Sequence, residues 1–418
     1  MTDHTATTPP VPHDLDGPRI PLYTPEFAAA PHAAYRQMRR DYGTMVPVDL
    51  APGVPATLVI GYRTALRILN DPGRFPADPS TWIKDIPPGC PIRPMMEPRP
   101  NLLRTAGAEH SRYRAVVSSA LAGVDLYRLH DTVERLVVPL INSFAAAGEC
   151  ELISQYALPL VFSVLNELVG CPPEIGERVA AGMAAMFDTS TEATEGGAAL
   201  FAGLAELVAS KQLEPGDDIT TRLVQHPSGL TNEELAHQLV PVYAAGLEPT
   251  QQLIANTLVL MLTDDRFAAG ILGGSVSTRD ALDEVLFNDP PMANFCMSYP
   301  RHPVLIDDVW LPPDRPVLIS LAAANNDPTV RGGEITANRA HLAFGVGSHA
   351  CPASDLARLI AQDAIDQLLD ALPEIELGVA ADSLQWRTGA FHRALAGLPV
   401  IFPPSPPITL DTSNPVTE

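Results

Sequence analysis

Thr231-x-x-Glu234 opens the stretch that most restricts how this chain can fold. The spacing is that of a capping box, in which each side chain satisfies a free backbone donor at a helix start. Helical character then persists to about Thr263, on the order of 45–50 Å at 1.5 Å per residue. Leu239, Val240, Val242, Leu253, Ile254, Leu258 and Leu260 make it apolar on most faces. A helix apolar all round is buried in a large protein. Yet no stretch of ~18 apolar residues occurs, so membrane insertion is not expected.

Other segments supply the shell for such a helix. Helical periodicity is read over residues 126–147, 153–169, 173–187 and 198–212. It recurs over 353–372, where Leu356, Ile360, Ala364 and Leu368 lie at i+4 spacing. Tyr62 to Asn70 and the residues around Asp283 read as short helices. Residues 55–63, 317–322 and 394–402 are strand-like. The fold class expected is mainly α with small β-sheets. Residues 76–100 are crowded with Pro and Gly, and loops of that length are usually functional or disordered. Residues 1–19 are polar and Pro-rich, without the charged start and apolar run of a signal peptide or anchor. They are expected to be a disordered tail, with a single domain over 20–403 and a flexible tail over 404–418.

Charge and cysteine usage exclude some functions. A net charge of −22 argues against a nucleic-acid or acidic-membrane surface, because both recruit Lys and Arg. Cys90, Cys150, Cys171, Cys296 and Cys351 are odd in number and widely spaced. That is a reduced, cytoplasmic pattern rather than a disulfide framework. The bland role for each is a small buried hydrophobe.

Cys351 has a different context: Phe344-Gly345-Val346-Gly347-Ser348-His349-Ala350-Cys351-Pro352-Ala353. Two glycines let the backbone turn tightly and approach a flat ligand. A position just before a helix gives the sulfur free N–H groups and a favourable dipole, which stabilise a thiolate. The segment resembles the cytochrome P450 haem-binding loop, Phe-Gly-x-Gly-x-His-x-Cys-x-Gly, with Ala353 in place of the last Gly. The resemblance implies haem b, Cys351 as axial iron ligand, Phe344 and Gly345 against the sulfur, and His349 toward a propionate. Gly345-x-Gly347-x-x-Ala350 also fits a dinucleotide fingerprint, but that needs a strand–turn–helix inside a βαβ unit.

Further motifs follow in family order. Glu109-His110-x-x-x-Arg114 resembles a Glu-His-x-x-x-Arg stretch, and His110 and Arg114 share a helix face on which they can hold one propionate. Ala245-Gly246-Leu247-Glu248 resembles the Ala-Gly-x-acid-Thr motif above the haem. Gly246 is expected to leave room for dioxygen, and Glu248 to relay protons, with burial raising its pKa. Pro249 stands where the family has Thr, so the helix should kink and Thr250 could substitute only if rotated inward. Phe287 replaces the arginine of Glu-x-x-Arg after Glu284, for which Arg331 or Arg339 is the expected partner. Ser298 occupies the place of a propionate arginine, with Arg301 as the nearest replacement. The likeness covers about residues 20–402 and implies the cytochrome P450 fold, with haem between the long helix and the Cys351 loop.

The resemblance implies an oxidoreductase of specialised metabolism, a monomer acting on a small molecule or short peptide. Substrate would lie between Val242 to Glu248, the loop 82–103 and residues 291–304, closed by the tip at Phe391. Electrons would come from a ferredoxin and ferredoxin reductase docking near Arg112 and Arg358. Hydroxylation and oxidative aromatic crosslinking compete, the missing Thr favouring the second. A haem-binding sensor or scaffold is the reading from another class.

Overall fold

The computed structural model describes residues 13–15, 17–187, 193–267, 277–330 and 339–408. Its axis is the expected long helix, Asn232–Thr263, 32 residues or about 48 Å long. The capping box is present in full, Thr231 accepting from the Glu234 N–H and Glu234 from the Thr231 N–H. The helix runs unbroken through Pro241 and Pro249. Helices Leu158–Val169, Ala193–Leu213, Thr278–Asn288 and Ser354–Ala371 pack around it. Leu239, Tyr243, Ile254 and Leu258 join Val161, Val164, Ile360, Ala364 and Leu368 in one continuous core.

Among the described residues, three small sheets flank this bundle. The largest has the order Ile20–Pro21, Met45–Asp49, Pro55–Val59, Val317–Ser320, Asn294–Ser298. Ala56 to Val59 and Val317 to Ser320 pair in parallel and are buried on both faces, which explains their unbroken run of mostly apolar residues. The edge strand Asn294–Ser298 is bulged between Phe295 and Ser298, and Cys296 at the bulge has φ 52°. The Cys296 sulfur would lie 3.3 Å from a Cβ on Gly345 of the cysteine loop.

Several expected boundaries shift. The strand expected over 317–322 ends at Ser320, whose hydroxyl caps the helix Leu321–Asn325. The strand expected over 394–402 is only Pro399–Ile401. Residues 153–157 form a π-turn before the helix Leu158–Val169. The segment expected as an N-terminal tail is not wholly unstructured, since His13–Asp14 pairs with Val309 and Trp310. The C-terminal tail begins later than 404, because Asn142 bonds the Ile408 backbone in both directions. The rest of both tails lies outside the described residues.

Candidate functional site

The cysteine loop is a tight turn that only glycine can make. Gly345 and Gly347 have φ of 65° and 76°, in the left-handed region. A Cβ on Gly347 would lie 2.3 Å from the Leu69 carbonyl oxygen. The Cys351 N–H closes the loop by donating to the Phe344 carbonyl at 2.7 Å. The sulfur accepts from the Ala353 backbone, while burial pushes the thiol pKa up. Phe344 is not part of a strand, so the strand–turn–helix needed by a dinucleotide fingerprint is absent here.

Three predicted anchors converge on this loop. The His110 and His349 rings lie 3.9 Å apart. Arg114, one turn beyond His110, donates to the Ala350 carbonyl. Burial and neighbouring charge lower the pKa of both imidazoles, that of His349 to about 4, so both are neutral near pH 7. His110 is 4% exposed and its Nε2 has no hydrogen-bond partner. Its helix, Gly107–Ala122, is stapled to the long helix. Arg112 donates twice to the Glu234 carboxylate, at 2.8 and 2.7 Å, and Tyr113 donates to it at 3.1 Å. Those bonds hold the Glu234 pKa down to about 2.

The long helix presents one uncovered stripe. Val242, Ala245, Glu248 and Pro249 are exposed or half-buried, while Tyr243, Leu247, Thr250 and Ile254 share the packed face. Three expectations are corrected here. Gly246 does not open space for dioxygen: a Cβ there would meet Leu165 at 3.2 Å, so it serves close helix packing. Ala245 is the small residue on the open side. Thr250 is 4% exposed on the packed face and does not stand in for the missing hydroxyl. Glu248 is not an isolated buried acid, because Arg387 donates to its carboxylate.

Further corrections concern the arginines. Arg301 is tied to the carboxylate of Asp78 at 2.6 Å and to Thr81. Glu284 pairs with Arg266 at 2.8 Å rather than with Arg339. Arg339 instead meets Asp283 at 2.9 Å, and Arg358 meets the other oxygen of the same carboxylate. Arg331 lies outside the described residues. Arg358 also donates to His341 Nε2 at 2.7 Å and sits 5.4 Å from the Phe344 ring centre. Arg112 and Arg358, the arginines expected near an electron donor, are engaged within the chain by Glu234 and Asp283.

Sequence reasoning missed Asp283 and Arg104. Asp283 is 2% exposed, and its i,i+4 relation to buried Phe287 was the available signal. Arg104 is 6% exposed and lies over the Phe295 ring at 5.7 Å. Its only signal was a charge between Leu103 and Thr105 in an apolar loop.

The donor set fits haem b, a flat group with two propionates and an iron that takes a thiolate. A cysteine, a histidine with an orphaned nitrogen, and two guanidiniums without any carboxylate among the described residues surround the loop.

Comparison with known proteins agrees. No family model matches the chain. It is 30% identical over 388 residues to the cytochrome P450 monooxygenase PikC of Streptomyces venezuelae, covering 90% of this chain and 92% of that protein. It is 30% identical over 366 residues to the mycinamicin IV hydroxylase/epoxidase of Micromonospora griseorubida, covering 84% and 90%. The structure of CYP154C4 from Streptomyces sp. W2061 superposes with a TM-score of 0.82 at 27% identity, covering 92% of this chain and 98% of that one. Among the described residues no helix is long and apolar enough to cross a membrane.

Proposed function

The chain belongs to the cytochrome P450 family, a haem-thiolate oxidoreductase, and on that premise we propose that it oxidises an apolar specialised metabolite using electrons from a separate ferredoxin and its reductase. The observation that carries this reading is the uncovered stripe Val242–Ala245–Glu248–Pro249 on an otherwise packed helix. A haem held by Cys351 would supply dioxygen-dependent oxidation. His110, Arg114 and His349 would hold its propionates. Val242, Ala245 and Pro249 offer apolar contact and little bulk, which suits a substrate held by shape rather than by polar bonds. Glu248, fixed by Arg387, is the acid placed to pass a proton inward from the surface. The relative that oxidises mycinamicin supports a specialised metabolite as substrate.

A second reading, oxidative coupling, is favoured by one observation. The stripe carries no hydroxyl, since Pro249 holds the usual Thr position and Thr250 faces the core. Coupling would remove two hydrogens from substrate and join two substrate atoms. With one dioxygen, two electrons and two protons consumed, two waters leave. Isotopically labelled dioxygen separates the readings on a panel of macrolide precursors and short aromatic peptides. Label in the product establishes insertion, and an unlabelled product two hydrogens lighter establishes coupling. Electron consumption that yields only peroxide with every substrate would overturn both. In the same preparations, the red-shifted Soret band of the ferrous carbonyl should vanish in Cys351→Ser. Its survival would remove Cys351 as the ligand.

A further inference from the structure

We propose that Arg104 is the second guanidinium anchor of the haem propionates, taking over from the strand arginine whose place Ser298 occupies. The inference rests on the haem reading and goes beyond it, because nothing in the sequence motifs points to this residue.

Arg104 is buried, yet no carboxylate among the described residues lies within ion-pair distance of it. Its hydrogen bond goes to the Met95 carbonyl. A buried cation without an acid costs several kcal/mol unless something compensates it. In a chain of net charge −22, with acids available, its isolation suggests an anion from outside the chain.

Its position fits that role. Arg104 lies over Phe295, next in sequence to Cys296, whose sulfur would be 3.3 Å from a Cβ on Gly345 of the cysteine loop. His349 reaches the Leu102 backbone, two residues from Arg104. Ser298, on the same strand as Phe295, has a buried hydroxyl with no partner.

The segment carrying Arg104 is also held rigid. The Asn101 side chain accepts from the N–H groups of Leu103 and Arg104 at 3.0 and 3.1 Å. Gln238 of the long helix accepts from Leu102 N–H at 3.0 Å and donates to the Pro100 carbonyl at 2.9 Å. The guanidinium is therefore presented by a braced turn, which limits the entropy lost on binding. Charge balance agrees. Arg104 and Arg114, each bonded to a backbone carbonyl and to no carboxylate among the described residues, provide two guanidiniums for two propionates.

The test compares holoprotein of the wild type, Arg104→Met and Arg104→Lys. Haem loss is followed as transfer to excess apomyoglobin, with ordinary haem and with haem whose propionates are methyl esters. With ordinary haem, Arg104→Met should lose haem roughly 10- to 100-fold faster, as expected for one charge-assisted contact. Arg104→Lys should lie between. With the ester the three proteins should converge. Equal loss rates with ordinary haem would overturn the proposal. So would a variant penalty that is the same for haem and ester, which marks a purely structural residue. If Arg104→Met does not fold, the Arg104→Lys comparison across the two haems decides alone. Absence of haem binding by the wild type would instead sink the haem reading itself.

Discussion

Two buried charge clusters flank the cysteine loop and are built on opposite plans. Around Asp283 the charges are complete: one carboxylate, 2% exposed, meets Arg339 and Arg358, and Arg358 reaches on to His341. Around His110 and His349 they are incomplete: Arg104 and Arg114 hydrogen-bond only to backbone carbonyls, and His110 Nε2 has no hydrogen-bond partner. In a complete cluster the charges satisfy one another, and removing one partner strands the rest. An incomplete one stores a demand for a ligand, because unpaired buried charge is costly. The first holds the chain together where the family's Glu-x-x-Arg arginine is missing; the second is shaped for an outside anion.

The contrast can be broken most forcefully at Asp283. Asp283→Asn leaves two guanidiniums facing a neutral amide and should cost about 3 kcal/mol. The loss should be equal with and without haem, read from denaturant unfolding of both forms. A loss confined to the haem-bound form would erase the distinction between the clusters. Arg114→Met should show the converse at smaller size. Haem should leave roughly tenfold faster, while the haem-free chain keeps its unfolding midpoint. A haem-free protein weakened as much as the loaded one would make Arg114 a strut.

The smallest effect concerns the staple between Arg112 and Glu234. The Glu234 carboxyl is depressed from 4.5 to about 2, chiefly by Arg112. Its contribution is therefore whole above pH 4.5 and is lost as pH falls from there toward 2. Arg112→Ala should melt slightly below the wild type near neutrality, with the gap closing progressively below pH 4.5. A gap constant across that range would show that the charge pair contributes nothing.

The site was legible wherever spacing along the chain carries the geometry. The capping box, the two loop glycines and the His110–Arg114 turn each depend on residues within five positions of one another. They were found where expected. The failures are contacts across long separations. Arg301 was chosen because it lies near Ser298 in sequence, but Asp78 and Asp314 claim it. Gly246 was assigned to the open side of its helix, yet which side is open depends on Leu165 in another helix. The sequence allows Thr250 to turn inward only at a kink, and in the structure it shares the packed face with Tyr243 and Ile254.

By itself, the sequence determined a buried central helix, a cysteine loop that must turn through two left-handed glycines, and the chemistry of the group that loop can hold. Local backbone geometry and hydrophobic periodicity are properties of neighbouring residues, so a linear reading reaches them. Only the tertiary structure decided which acid partners which arginine. The arginines and acids around the loop could be paired in many ways on paper. Packing leaves Asp283 with two guanidiniums and Arg104 with none of the acids, because burial and direction, not proximity in the chain, select the partner.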